Sequence, residues 1–88
     1  MSNQEMQKDY KRIVKHMLNN NGYKIYIKDI KKVIAAKSGF AYGIAHKVKY
    51  TVIMKTGVIY ELTVETQKEG SYNEQSAHFI VTSVNIIN

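Results

Sequence analysis

Lys47-Val48-Lys49-Tyr50-Thr51-Val52-Ile53-Met54-Lys55-Thr56-Gly57-Val58-Ile59-Tyr60-Glu61-Leu62-Thr63-Val64-Glu65-Thr66 is the stretch on which the fold turns. Val48, Tyr50, Val52 and Met54 alternate with polar or outward residues, and Val58, Tyr60, Leu62 and Val64 repeat the pattern. Period-two alternation on both sides of a glycine is the pattern of a β-hairpin. The faces then select the turn. A two-residue loop, Thr56-Gly57, sets Val52 against Glu61 and mismatches every pair. A three-residue loop, Lys55-Thr56-Gly57, sets Met54 against Val58, Val52 against Tyr60, Tyr50 against Leu62 and Val48 against Val64. This predicts a type I turn with a G1 bulge and Gly57 in the left-handed region. Lys47 then faces Glu65 across the strands.

Working outward, the last strand is expected over Ala77 to Ile87, after a polar loop over Lys68 to Ser76. Simple alternation there puts Ile80, Val84 and Ile86 on one face. It puts Phe79 and Val81 on the other, beside Ile53 and Ile59. Those four form a possible protein-binding or self-pairing surface. On the N-terminal side, Asn3 to Asn20 reads as an amphipathic helix with Met6, Tyr10, Ile13, Val14, Met17 and Leu18 along one stripe. Ser2 and Glu5 fit a capping box, and Gly22 fits the helix stop. Lys8, Lys11, Arg12 and Lys15 occupy the opposite face, where simple solvation accounts for them. Tyr23 to Lys28 alternates as a short strand. Asp29 reads as the N-cap of a short second helix with Ile30, Val33, Ile34 and Lys37 inward and Gly39 as its stop. The expected fold is a single α+β domain over residues 1–88, with an N-terminal helix and a short second helix on a three- to four-stranded antiparallel sheet.

Lys31 to Tyr50 supports an alternative. Ile34, Ala35, Gly39, Phe40, Ala45 and Val48 can be laid on the twenty-residue helix-turn-helix pattern, and the hairpin follows as a wing. Over roughly Met6 to Thr66 the chain resembles a winged helix-turn-helix of the transcription-regulator type. That resemblance implies DNA binding. Ser38 stands where the family carries an apolar residue, Gly43 falls inside the would-be recognition helix, and the last strand has no place in the plan.

The 88 residues carry a net charge of +6, unevenly spread. Met1 to Lys55 holds twelve Lys/Arg against three acids, a net of +9, and Thr56 to Asn88 holds one lysine against four glutamates, a net of −3. Such segregation points to a polyanion-binding face. Lys24, Lys28, Lys31, Lys32, Lys37, Lys47 and Lys49 are interleaved with Tyr26, Phe40, Tyr42 and Tyr50. Lysines neutralise phosphates and aromatics stack on bases. The candidate nucleic-acid site is therefore Lys24, Lys28, Lys31, Lys32, Lys37, Tyr42, Lys47 and Lys49. Arg12 is the single arginine. Guanine edges are read mainly by arginine, so the expected binding is backbone-driven and salt-sensitive.

Other functions find less material. The absence of cysteine excludes disulfides and thiolate metal sites. His16, His46 and His78 lie on separate elements without metal-ligand spacing, so neither a metal nor a cofactor is expected. The glycines around Phe40 to Gly43 are not followed by the Lys-Ser/Thr of a phosphate loop. No paired carboxylates suit acid–base catalysis, and a non-enzymatic protein is expected. A metal-free ribonuclease using Tyr42, His46, Lys47 and Lys49 is the remaining enzymatic reading. The opening of the chain through Asn21-Gly22-Tyr23 resembles that of HicA-type toxins. The histidine those toxins carry soon afterwards is missing, and Lys24 to Asp29 stands there. No apolar leader or membrane-length run is visible, so a cytoplasmic protein is expected. Twelve Lys, seven Asn, eleven Ile and seven Tyr give the composition of an AT-rich genome, a phage or another mobile element. The rival class is a small inhibitor or adaptor that docks on an acidic partner protein, and a homodimer is also compatible with the outer apolar residues.

Overall fold

The computed structural model describes residues 3–41, 44–68 and 77–87; within these, the side chains of residue 3, 38–41, 44–46, 66–68 and 77–79 are not described. The order of elements is α1 (Asn3–Asn20), a 3-10 turn (Ile27–Asp29), β1 (Ile30–Ala41), β2 (Ile44–Met54), β3 (Ile59–Lys68) and β4 (Ala77–Ile87). The strands form one antiparallel meander in the order β1-β2-β3-β4. One helix packed on one face of a four-stranded open sheet makes this an α+β fold.

The hairpin is as the alternation requires. Val52 pairs with Tyr60, Tyr50 with Leu62, Val48 with Val64 and Lys47 with Glu65. The Met54 N–H donates to the Val58 carbonyl at 2.9 Å, the Gly57 N–H donates to the Met54 carbonyl at 3.0 Å, and Gly57 has φ +96°. At the end of α1, Gly22 takes φ +89°. The Tyr23 N–H reaches the Leu18 carbonyl at 2.9 Å and the Gly22 N–H reaches that of Asn19 at 3.2 Å, which is the Schellman pair of bonds. Asn19 Oδ1 also accepts from the Ile25 N–H at 3.1 Å, so the helix end and the connector are tied together.

Two expectations fail in the N-terminal half. The second helix is strand β1, and Gly39 lies within it. The cause is a bulge. Ile30 pairs with Met54 and Lys32 with Ile53, which leaves Lys31 unmatched. The extra residue turns both Ile30 and Val33 inward, and that spacing of three imitates a helix. Beyond the bulge the strand alternates normally, and β-branched Ile30, Val33 and Ile34 suit the pleated backbone. Tyr23 to Lys28, expected as a strand, is a connector ending in the 3-10 turn, held by the Lys55 N–H donating to the Asp29 carbonyl at 2.9 Å. Lys31–Ala41 and Ile44–Tyr50, the span laid on the helix-turn-helix pattern, are extended.

The core lies between α1 and the sheet. Val14 and Leu18 from the helix, Ile25 from the connector and Ile30, Val33, Val48, Tyr50, Val52, Met54, Leu62 and Val64 from the strands are buried. Tyr10 stacks edge-on to Tyr50 and Tyr23 edge-on to Tyr60, with ring centroids 6.1 Å and 5.9 Å apart. The helix is rolled slightly from the expected stripe. Met6 and Ile13 are each 37% exposed, and Gln7 turns to the sheet instead. No described helix is long and apolar enough to cross a membrane.

Candidate nucleic-acid interface

The antiparallel ladder decides which backbone groups remain free. Met54 and Val58 form the closing hydrogen-bonded pair of the hairpin. Hydrogen-bonded pairs recur at every second residue, so Val52 and Tyr50 direct their N–H and C=O groups towards β3. Ile53 and Thr51 therefore bond to β1, and Val33, which pairs with Val52, points its groups away from the sheet. Gln7 takes up both. Its Nε2 donates to the Val33 carbonyl at 2.9 Å, and the Val33 N–H donates to its Oε1 at 3.0 Å. A side-chain amide thus stands in for one residue of a further strand and holds the N-terminal half of α1 against the β1 edge.

Two adjoining hollows flank this clamp. Met6, Gln7, Lys31 and Lys32 line the first, and Gln4, Gln7, Lys8 and Lys11 line the second. The bulge brings Lys31 to the edge, with Lys32 beside it on the outer face. The ion pairs among the described residues are Arg12–Asp9 and Lys49–Glu61, both at 2.5 Å. Among the described residues, none of the four groove lysines is in an ion pair and no acidic side chain lines either hollow. The single arginine is engaged by Asp9.

The eight residues expected to bind nucleic acid do not share one surface. Lys31 and Lys32 lie at the groove. Lys24 and Lys28 are exposed on the connector, with Lys28 Nζ 5.9 Å from the centroid of the Tyr26 ring. Lys37 is exposed on β1 opposite Val48, on the helix side of the sheet. Lys47 and Lys49 are on the outer face, where Lys47 pairs in register with Glu65 and Lys49 bridges to Glu61. Tyr42 lies outside the described residues. Tyr50 is core, 9% exposed, so it is removed from any stacking role, while Tyr26 is 52% exposed. Burial pushes the Tyr50 phenol above its ordinary value, with Tyr10 beside it adding to the effect. For the ribonuclease reading, Tyr42 and the His46 side chain fall outside the description, and Lys49 is occupied by Glu61.

No known protein family, curated protein or solved structure matches this chain.

The expected outer apolar set is also rearranged. Ile53 and Ile59 do face each other across β2 and β3, with Ile87 next in the row. Val81 is on the helix side, packed against the core. Thr63 pairs with Ser83 and Val64 with Val81, so Thr82 is an extra residue that switches the face of everything before it. Ile80 accordingly lies opposite Glu65 and is 40% exposed. Phe79 pairs with Thr66, and its side chain lies outside the description.

Lys8 and Lys11 are the groove residues that the sequence reading left as solvated. Their partners are distant in sequence, and only the correct assignment of residues 30–41 as an edge strand brings Lys31 and Lys32 beside them.

Proposed function

We propose that this protein is a small, non-enzymatic nucleic-acid-binding protein that takes up a phosphate backbone along the groove between α1 and β1. The observation that carries the reading is the set of four lysines, Lys8, Lys11, Lys31 and Lys32, in no ion pair among the described residues and lining two hollows that share Gln7. Ammonium groups act on phosphates as point charges and read no base, so affinity on this reading is electrostatic and sequence-tolerant.

The test is binding to labelled duplex DNA, single-stranded DNA and RNA across a salt series. Four neutralised phosphates correspond to a slope of about −3.6 in log K against log salt for duplex DNA, and about −2.8 for single strands. Replacing Lys8, Lys11, Lys31 and Lys32 with Gln should flatten that slope, and replacing Lys47 and Lys49 should leave it nearly intact. Loss confined to the second variant would move the site to the open sheet face. No binding at low salt would end the reading.

A second reading is a protein-binding inhibitor or adaptor of the kind carried by phages and mobile elements. It is favoured by the sheet face opposite α1, where Ile53, Ile59 and Ile87 form a row with exposed Ile34 on the neighbouring row. Under this reading, Ile59→Lys abolishes partner binding and leaves the salt-dependent nucleic-acid affinity unchanged.

A further inference from the structure

The two edges of the sheet are treated differently. At β1 the outward groups of Val33 are taken by Gln7, and Lys31, Lys32 and Lys37 stand along the strand. Charges on an edge oppose strand addition. Among the described residues β4 has neither device. Its eleven residues, Ala77–Ile87, include no Asp, Glu, Lys, Arg, Pro or Gly. Glu61 and Ile59 bond to Asn85 and Ile87, so alternation leaves the N–H and C=O groups of Val84 and Ile86 pointing outward. Ile86 is on the helix side of the sheet yet 49% exposed.

We infer that β4 pairs antiparallel with β4 of a second copy of this chain, which joins the two sheets into one of eight strands. The occupant is argued from self-complementarity. A two-fold axis through Asn85 sets Asn85 against Asn85 of the second copy and Ile86 against its Val84. Ile86 and Val84 are the residues with outward backbone groups, so this register forms two hydrogen-bonded pairs around a central non-bonded pair. It also places Val84 and Ile86 of both copies in one row on the helix side, which covers the exposed isoleucine. Electrostatics agree. Each chain carries +6, but β4 itself holds no Asp, Glu, Lys or Arg, so two copies meeting along this strand bring no like charges of it together. The contact leaves both lysine grooves free at the outer edges, and the inference does not depend on the nucleic-acid reading.

The chain has no cysteine, so a single introduced thiol reports the register directly. Asn85→Cys places two sulfurs at a non-bonded pair with Cα atoms about 4.5 Å apart, inside the range a disulfide spans. Ser83→Cys is equally exposed and on the same face, but it meets Ile87 of the second copy and not itself. Under mild oxidation the expected result is a disulfide-linked dimer for Asn85→Cys and little for Ser83→Cys. Sedimentation of the unmodified protein from about 1 µM to about 200 µM, where a small interface is partly assembled, should show mass rising from 10.1 kDa towards twice that value. Ile86→Lys should remain a folded monomer throughout. A wild-type chain that stays monomeric over the whole range overturns the inference. So does equal cross-linking of the two cysteine variants, which would mean random collision.

Discussion

Gln7→Ala removes both bonds to Val33 and offers nothing in their place. The Val33 side chain is buried, and the Gln7 side chain is only partly accessible, so water restores the lost bonds incompletely. At about 1 kcal/mol for each net hydrogen bond the loss is about 2 kcal/mol. For a domain of this size that corresponds to a fall in Tm of roughly 10 °C. The effect is local as well as global. The Val33 amide, now open to solvent at a sheet edge, should exchange its hydrogen at least tenfold faster, since 1.4 kcal/mol is a factor of ten. Urea titration gives the first quantity and amide exchange by NMR the second. Gln7→Glu separates the two bonds. It keeps the acceptor for the Val33 N–H and loses the donor to the carbonyl, so it should fall between wild type and Gln7→Ala. If Gln7→Ala leaves the urea midpoint unchanged and the Val33 amide equally protected, the clamp contributes nothing and α1 is held by its apolar contacts alone.

Leu18→Ala deletes a side chain with 0% exposure and should cost about 2–5 kcal/mol, read from urea midpoints. Gly57→Ala meets no atom within 4 Å, so its cost is the backbone strain of φ +96° alone, about 1 kcal/mol, with the hairpin register unchanged by NMR. Glu61→Gln breaks an ion pair whose lysine side chain is 54% exposed, and thermal melts should shift by less than about 1 kcal/mol, less still at high salt. Tyr50 supplies a pH test. The unfolded chain releases this proton near the ordinary tyrosine value of 10.0 and the native protein holds it longer. The native state then binds more protons, so stability falls as pH rises through that value. Tyr50→Phe should show a shallower loss of urea midpoint over about pH 9 to 11 than the unmodified chain.

The parts of the fold that follow from local chemistry were legible in the residues. Gly57 between two matched alternations dictates both turn and register, and Gly22 after three asparagines dictates the end of α1. Tyr23 to Lys28 failed because a short alternation does not separate a strand from an extended connector, and the failures in β1 and β4 each involve a bulge. At Lys31 one extra residue converts a strand into an apparent helical spacing, and at Thr82 one extra residue moves Val81 inward and Ile80 outward. Side-chain periodicity assumes an unbroken count, and a bulge changes the count without changing composition. The candidate site was legible to the same degree. Lys31 and Lys32 could be named from charge density, but their neighbours Lys8 and Lys11 depend on how the helix crosses the edge of β1. The fourfold interleaving of lysine with tyrosine and phenylalanine was a weaker signal, because Tyr50 belongs to the core.

Charge alone would place a polyanion on the open sheet face, and the local balance argues otherwise. The outer face presents Lys32, Lys47 and Lys49 beside Glu61 and Glu65, a net of +1. A phosphate approaching Lys49 must displace or tolerate the Glu61 carboxylate 2.5 Å from its ammonium. Within the Debye length of about 8 Å at physiological salt, each glutamate there largely cancels its lysine. The groove holds four lysines with no carboxylate among its described lining residues. Its potential therefore extends further into solvent than that of the sheet face, although the two surfaces share Lys32 and hold four lysines against three. What concentrates the charge is Gln7. By closing the helix onto the β1 edge it brings two lysines from α1 beside two from the start of β1, and an uncharged clamp leaves all four free. On this argument Gln7→Ala should weaken nucleic-acid binding even under conditions where the variant is fully folded, because the two lysine pairs lose their fixed separation. Unchanged affinity in that variant would mean that the lysines act independently of the groove.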